Sequence, residues 1–286
     1  KTIIFIFLIQ SFFILLCIIS QNFYEVTSIF RDPLTPHLIL SYGRMRGNAI
    51  SGYQFFGIGT MYSFVIIYLF ISEYFNKDFK NLIISIFIII IGFVSSRFSA
   101  FGTLIGFLFW FLFKPNFKNK MKIIIYLLIS SLIFIFLLIF IYKNIKNDKL
   151  IRVINYQIIY QTEMMIKGKY ENVSSLNRLK EMYNVKFDNL FLGEGRYMNK
   201  DGTYYKRVDS GYLRIILYSG ILGLILLLLS NYFFLFYLFP NGNKLLKISF
   251  FILFIVLNFK GDVFVYNNNI LPILFALLTN NHKSTT

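Results

Sequence analysis

Charged residues are scarce in this chain, and cysteine and histidine are scarcer still. Only 15% of the 286 residues are Asp, Glu, Lys or Arg, against about 25% in an average soluble domain, and 57% are hydrophobic. A single cysteine excludes a disulfide scaffold within the chain, and the apolar content excludes a disordered chain. This composition predicts a protein embedded in a membrane.

Several kinds of chemistry lack their sequence motifs. The chain has no glycine-rich loop ending in Lys-Ser or Lys-Thr, which argues against ATP-driven work. It has no Asp-x-Asp pair to hold the metal ion of a nucleotide-sugar transferase. His37 and His282 are far in sequence from each other and from Cys17, which argues against a zinc site. We therefore expect no cofactor and no metal ion.

The sequence does contain long hydrophobic runs. A helix needs about 20 apolar residues to cross the hydrocarbon core of a bilayer, and open sheet edges are not tolerated in lipid. The sequence therefore predicts an all-α fold, a polytopic membrane bundle of about eight transmembrane helices. The predicted spans are 3–19, 55–71, 82–94, 98–113, 123–142, 213–239, 248–259 and 263–279.

These spans divide the chain into three regions. Residues 1–142 are predicted to hold five membrane helices, residues 143–212 one large extracytoplasmic loop with short helices, and residues 213–286 three membrane helices. The sequence starts at Lys1 without a methionine, which suggests a truncated copy of a longer protein. No small-x-small cleavage site follows the first run, so we expect it to be a retained span.

Lysine and arginine divide unevenly between the two predicted membrane faces. Cytoplasmic loops carry an excess of basic residues, and only short loops count in this rule. One face has ten lysines in its short loops and the other has five basic residues, so the lysine-rich face is predicted to be cytoplasmic. All nine arginines then lie outside: Arg31, Arg44, Arg46, Arg97, Arg152, Arg178, Arg196, Arg207 and Arg214.

Arginine on the outer face predicts a site for anions. Topology needs only positive charge, whereas the planar guanidinium binds phosphate or carboxylate through two hydrogen bonds. Codon bias is the plain alternative, but it would not sort arginine by face. The net charge of +16 therefore indicates topology and an anionic ligand, not a nucleic-acid partner.

Arg97 is a candidate for that site because its two flanking spans are short. We expect the turn at Arg97 to lie below the outer surface, where a charge is costly unless it faces water or a partner. In the alternative, the spans extend by a few residues and Arg97 only reaches to the interface. Arg44 and Arg46 flank Met45 and are candidates for holding one anion together, although ordinary interfacial anchors have the same pattern.

An ordered set of motifs runs through most of the chain. The segments are Arg44-Met45-Arg46-Gly47, Ser95-Ser96-Arg97, Ser174-x-x-Asn177-Arg178, Gly193-Glu194-Gly195, Asp209-Ser210-Gly211-Tyr212-Leu213 and Gly220-Ile221-Leu222-Gly223. Their order and predicted topology resemble those of the bacterial O-antigen polymerase and ligase family, over residues 41–278.

The resemblance implies an inverting, metal-independent membrane glycosyltransferase of the GT-C type. Its substrates would be sugars linked to undecaprenyl diphosphate, handled at the outer face of the bacterial cytoplasmic membrane. It would contribute to O-antigen or capsular polysaccharide and to lipopolysaccharide. Membrane lipid, a chain-length regulator and a flippase are the implied partners.

The resemblance also suggests residue roles. Arg44, Arg46, Arg97 and Arg178 would stabilise the charge of the departing lipid diphosphate, with Arg97 and Arg178 also counted as catalytic. Asp209 would act as the base for the acceptor hydroxyl or orient it. Tyr212 would stack on a sugar.

One position bears on the choice between polymerase and ligase. Ligases resemble each other in a His-Asn-x-x-Leu segment that begins the span after the large loop. Asp209 stands at the histidine position here, and the outer loop has no histidine. The polymerase is therefore favoured over the ligase.

Two other classes of function stay open. A flippase for the same lipid-linked sugars is the transporter alternative, although transporters tend to have ionisable residues or broken helices near the membrane midplane, and these spans show almost none. An inactive scaffold is the third alternative.

Overall fold

The computed structural model describes residues 2–30, 55–76, 78–113, 121, 125, 180–200, 203–263 and 267–279. The all-helical prediction is confirmed over these residues, which form helices and no strand apart from a single bridge between Met198 and Tyr204. The chain divides into two compact units, Lys1–Ile158 and Ile159–Thr286.

The first unit contains five described α-helices, α1 to α5. Two of them lie near the N-terminus and are separated only by Ser20, and the other three lie within residues 55–113. They are α1 (Thr2–Ile19), α2 (Gln21–Thr27), α3 (Phe55–Ile71), α4 (Phe79–Ser95) and α5 (Ser99–Phe113).

Small residues bring α3 and α5 into close contact. A side chain at Gly102 would meet the backbone of Ser63, and one at Gly106 would meet Phe70. Small residues let helix backbones approach and gain van der Waals contact, which is the usual basis of helix association in lipid. Ser63 Oγ also donates a hydrogen bond to the Phe98 carbonyl at 3.0 Å, which fixes the start of α5 on α3.

The second unit contains three long helices after a structured loop. They are α6 (Gly211–Tyr237), α7 (Lys244–Leu257) and α8 (Asn267–Thr279), and residues 180–183 are also helical. Asn243 caps α7 by accepting from the N–H groups of Leu245 and Leu246. Lys247 reaches back to the Phe239 carbonyl at 2.9 Å and so satisfies a backbone group just after the end of α6.

Asn258 joins the end of α7 to the start of α6. Its carbonyl accepts from the Tyr212 N–H at 3.2 Å and from Ser210 Oγ at 3.3 Å. Its side-chain oxygen accepts from the Val263 N–H at 3.2 Å. A side chain at Gly211 would collide with Asn258, so glycine permits the close approach. The segment that begins α6 is therefore held firmly in place.

Among the residues that the structure describes, two helices are long and apolar enough to cross a membrane by length and composition. They are Thr2–Ile19 and Gly211–Tyr237. Shorter apolar helices cover 56–71, 79–95, 99–113 and 270–279.

A helix lies at each of the seven predicted spans that the structure describes, with the predicted ends at 55–71 and different ends at the others. The helix at 55–71 has the predicted ends, whereas the span predicted at 82–94 is a 17-residue helix, Phe79–Ser95. Asp78 explains the earlier start, because its side chain accepts from the Asn81 N–H at 2.7 Å. The predicted 98–113, 213–239, 248–259 and 263–279 become Ser99–Phe113, Gly211–Tyr237, Lys244–Leu257 and Asn267–Thr279, and 123–142 lies almost wholly outside the described residues.

Candidate functional site

Helix α6 is broken at Gly220. This residue has φ 70° and ψ −174°, a conformation that is essentially restricted to glycine. A break leaves backbone groups without their helical partners, and such groups are costly when buried. Broken helices are typical of transporters, and the sequence analysis expected almost none in these spans. The break at Gly220 therefore differs from that expectation.

A turn at residues 189–193, which we call the loop tip, lies against this break. The N–H groups of Glu194 and Gly195 donate to the carbonyls of Leu217 and Tyr218 at 2.6 and 3.0 Å. In the other direction, the Ile221 N–H donates to the Leu190 carbonyl at 3.0 Å. The loop therefore supplies the partners that the helix lost, and Gly193-Glu194-Gly195 and Gly220 form one structural feature.

Lys206 closes the base of the loop tip. Its Nζ lies 2.8 Å from Glu194 Oε1 and 3.1 Å from Asp188 Oδ2, so it binds both ends of the turn. Burial by itself raises the pKa of Glu194, but hydrogen bonds from Lys206 and the Asp188 N–H outweigh burial and lower it. The hydrogen bond with Glu194 raises the pKa of Lys206.

Arg214 is a buried cation between two aromatic rings. Its guanidinium carbon lies 4.0 Å from the centre of the Tyr197 ring and 3.7 Å from that of Tyr204. Its Nη1 is 3.9 Å from Asp262 Oδ2, and the two side chains are only 6% and 1% exposed. Cation–π contact with two rings and a nearby carboxylate offset the cost of burying the charge.

Tyr197 connects the loop to the same carboxylate. Its hydroxyl donates a hydrogen bond to Asp262 Oδ2. Burial raises the pKa of Tyr197, and donation to the carboxylate raises it further, so the phenol stays protonated. The loop, α6 and the turn after α7 thus meet at one group of side chains, which we call the Arg214 cluster: Arg214, Asp262, Tyr197 and Tyr204.

A cavity of about 480 Å³ opens beside the Arg214 cluster. Asp262 and Tyr197 provide its polar end, and the broken part of α6 provides the rest of the wall. The wall residues from α6 are Ile215, Tyr218, Ser219, Gly223 and Leu227. A concave space with a few convergent polar groups and otherwise apolar walls is the usual form of a ligand site.

Asp209 lies two residues before α6. It is half-buried, and its N–H donates to Met182 Sδ at 3.2 Å. The N-cap position of α6 belongs to Ser210, and the acidic partner of Arg214 is Asp262. Asp209 therefore stands between the structured loop and the first turn of α6.

Tyr212 packs within the second unit. Its hydroxyl donates to the Ile255 carbonyl at 2.7 Å, and its ring meets Phe259 edge to face at 5.1 Å between ring centres. The side chain is half-buried, so only part of the ring is open to a sugar.

Arg97 lies in the turn between α4 and α5 of the first unit, and its side chain is exposed. The turn is anchored at both ends, by the Ser96 N–H donating to the Gly92 carbonyl at 2.9 Å and by Ser63 Oγ donating to Phe98. The flanking helices have 17 and 15 residues, about 26 and 23 Å at 1.5 Å per residue, so both stay shorter than about 30 Å of hydrocarbon.

The other three arginines of the predicted diphosphate site lie outside the described residues. These are Arg44, Arg46 and Arg178. Their roles stay predictions.

The sequence analysis missed Tyr197, Tyr204 and Asp262 as members of one site. They are separated along the chain by up to 65 residues, and no local spacing connects them. A charged residue beside apolar runs was the available signal, because such a charge needs a partner. Asp262 and Arg214 both have that character in the sequence.

Within the described residues, no three His, Cys, Asp or Glu side chains come together as a metal site requires. In comparisons with known proteins, no family model, no curated protein and no solved structure matches this chain.

Proposed function

We propose that this protein is a membrane glycosyltransferase that polymerises oligosaccharide repeat units carried on undecaprenyl diphosphate. The product would be O-antigen or capsular polysaccharide. One observation carries the proposal: three of the motifs behind the family resemblance meet at the N-terminal part of α6. Gly193-Glu194-Gly195 binds the break at Gly220, and Asp209 precedes the same helix.

The proposed setting is the bacterial cytoplasmic membrane, crossed by about eight helices. Two described helices are long enough to cross it alone, and shorter apolar helices accompany them. The arginine-rich face and the loop at 143–212 lie outside, as the distribution of lysine suggests. The Arg214 cluster then lies on the outer side, where the cavity beside it is open to a lipid-linked sugar.

The proposed reaction transfers the growing polymer to a new repeat unit. A sugar hydroxyl of the incoming unit attacks the anomeric carbon of the polymer, and its proton passes to the Asp209 carboxylate. The new glycosidic C–O bond forms as the bond from that carbon to the diphosphate breaks. The lipid diphosphate leaves with the bonding electron pair, and Arg44, Arg46, Arg97 and Arg178 stabilise its charge.

A flippase is the second candidate, because the broken helix favours it. Discontinuous helices often form substrate sites in transporters, and the break at Gly220 adjoins a cavity wall. The loop tip, however, satisfies the backbone groups at the break, whereas a transporter site would use such groups to bind its substrate.

Purified full-length chain with radiolabelled repeat-unit lipid separates these candidates. The polymerase produces a ladder of longer lipid-linked chains in detergent. A flippase produces no ladder but moves fluorescent lipid-linked sugar between the leaflets of liposomes. An inactive scaffold does neither, and the absence of a ladder would contradict the proposed reaction.

A further inference from the structure

The loop tip exposes three consecutive apolar side chains. Leu190, Phe191 and Leu192 are 41%, 67% and 67% exposed. Contiguous exposed apolar surface on a protein usually marks contact with another apolar phase. The same turn is well ordered by its own hydrogen bonds, because Asn189 accepts from Gly193 N–H at its carbonyl and from Leu192 N–H at its side chain.

Several backbone groups of the loop tip are hydrogen-bonded within the protein. Irregular backbone is tolerated in hydrocarbon only where its polar groups find partners in the protein. The carbonyls of Leu190 and Phe191 accept from Ile221 and Leu222 of α6, at 3.0 and 3.5 Å. The tip therefore combines apolar side chains outside with bonded backbone inside.

An apolar stripe on α6 begins where the loop tip is attached. Leu222, Leu226, Leu229 and Phe233 are each about half exposed or more, and their spacing of four, three and four residues places them on one helix face. The helix from the break to its end, 221–237, is about 25 Å long at 1.5 Å per residue. Like the 17-residue α4, this part of α6 is somewhat shorter than a hydrocarbon core of about 30 Å, so the break falls close to the edge of the core or just inside it.

Charged groups flank the loop tip on the chain. Asp188 and Glu194 stand immediately before and after it, and Lys206 binds both. Lysine and acidic side chains are costly in hydrocarbon and belong at its water boundary. The tip and its base thus form an apolar end with a charged collar.

We propose that the loop tip inserts its apolar side chains among lipid chains at the outer edge of the bilayer, beside α6. The occupant of this surface is the lipid itself. The tip anchors the loop at a fixed depth and holds the Arg214 cluster just above the hydrocarbon. This inference rests on the membrane setting of the proposed function, but not on the reaction.

Spin labels at single cysteines test the depth of the tip. Cys17 is the sole cysteine. In Cys17→Ser a hydroxyl replaces the thiol and can make the hydrogen bond that Cys17 shares with Thr27. In that background, labels at Phe191→Cys and Leu192→Cys report the depth of the loop tip, and a label at Leu226→Cys reports the depth of the apolar stripe. Met198→Cys is the matched control, because Met198 is also apolar and 52% exposed but lies outside the tip.

The full-length labelled protein is reconstituted in liposomes of phosphatidylethanolamine and phosphatidylglycerol. Collisions with oxygen, which enters lipid, are compared with collisions with a water-soluble nickel chelate. We expect the ratio of oxygen to nickel accessibility at positions 191 and 192 to be severalfold higher than at position 198, and to approach that at position 226.

Each other outcome overturns the inference and identifies the cause. If positions 191 and 192 are as accessible to nickel as position 198 while position 226 lies in lipid, the loop tip does not enter the bilayer. That result rejects the inference and leaves the membrane setting intact. Shielding of 191 and 192 from both reagents indicates a protein contact and also rejects the inference. Nickel accessibility at 226 as well would reject the membrane setting of the proposed function.

Discussion

Arg214 holds the loop, α6 and the turn after α7 together through a single side chain. Removing it takes away the guanidinium that lies 3.9 Å from Asp262, a carboxylate that is 1% exposed. Breaking a buried ion pair by removing one partner typically costs about 3–5 kcal/mol. We expect Arg214→Met to lower the free energy of unfolding in detergent by about that amount.

A matched substitution checks that the effect comes from burial. Arg97 is an exposed arginine in a turn, so Arg97→Met should change the unfolding midpoint little. Equal midpoints for Arg214→Met and the wild type would mean that the Arg214 cluster contributes nothing to stability.

Asp209 is the residue on which the proposed chemistry depends most. Asp209→Asn removes the basic oxygen while it keeps the size of the side chain, and loss of a general base typically costs about 100-fold to 10,000-fold in rate. We expect chain elongation to fall by that factor at a nearly unchanged melting temperature, because asparagine keeps the size and most of the hydrogen-bonding capacity of the side chain.

Asp78→Asn is the control for Asp209→Asn, since asparagine caps helices as well as aspartate does and Asp78 caps α4. It should elongate chains at the wild-type rate. Normal elongation by Asp209→Asn would give Asp209 a structural role, and the base would have to be sought among Glu163, Glu181, Asp188 and Glu194.

Single residues were predictable from the sequence where their chemistry is local. Arg97 was predicted to lie in a turn between two short apolar spans, and it does lie in the turn between two helices, while its role stays a prediction. The Arg214 cluster was not predictable, because Tyr197 and Asp262 meet only after the chain has folded. Hydropathy identifies a buried charge as unusual but does not identify its partner.

The break in α6 depends on glycine at position 220. A side chain there would collide with the Phe191 carbonyl and would hold a glycine-only conformation, a strain that typically costs about 1–3 kcal/mol before the collision is counted. We expect Gly220→Ala to lower the melting temperature and to speed proteolysis of the loop tip.

Gly195→Ala separates conformational strain from collision. Gly195 also has a positive φ, 68°, but a side chain there meets nothing within 4 Å. Its cost should be about 1–2 kcal/mol from conformation alone. If Gly220→Ala costs no more than Gly195→Ala, the loop tip does not pack on the break as described.

The ion pair between Glu194 and Lys206 at the base of the loop tip should stabilise the fold at neutral pH and lose its effect in acid and in strong alkali. The folded pKa of Glu194 is below its ordinary value near 4.5, so its stabilisation is complete above that value and is lost as the pH falls through the folded pKa. The folded pKa of Lys206 is above its ordinary value near 10.5, so its stabilisation is complete below that value and is lost as the pH rises through the folded pKa.

Melting temperatures of the wild type and Glu194→Gln measure this dependence. Their difference should be constant in the neutral range and should shrink below about pH 4.5 and again in strong alkali. A difference that stays constant into acid would show that Glu194 is not ionised in the folded loop.

Whole helices were more predictable than their ends or interruptions. Hydropathy located the helix at 55–71 correctly because its ends coincide with changes in polarity. It missed the start of α4, where a capping carboxylate extends the helix into a polar segment. The break at Gly220 was missed because glycine is tolerated within helices, and only the distant loop tip makes the break favourable.

At the scale of the whole molecule, the proposed function places a reaction of lipid diphosphates at the predicted arginine-rich outer face. The second unit contributes a loop hydrogen-bonded to a broken helix, and a cavity lined in part by Asp262, the acidic partner of Arg214. The first unit contributes a turn that presents Arg97. The proposed polymerase requires that lipid-linked sugars reach these groups from outside the cytoplasm.

Elongation measured separately from each side of the membrane tests that requirement most directly. A water-soluble, short-chain diphosphate analogue of the repeat-unit donor and acceptor cannot cross a bilayer. It is supplied to sealed right-side-out and inside-out vesicles that contain the chain, in parallel reactions with and without EDTA. The account predicts longer saccharides from right-side-out vesicles only, at a rate that EDTA does not change. Elongation from inside-out vesicles alone, or its complete loss in EDTA, would contradict the proposed metal-independent polymerase of the outer face.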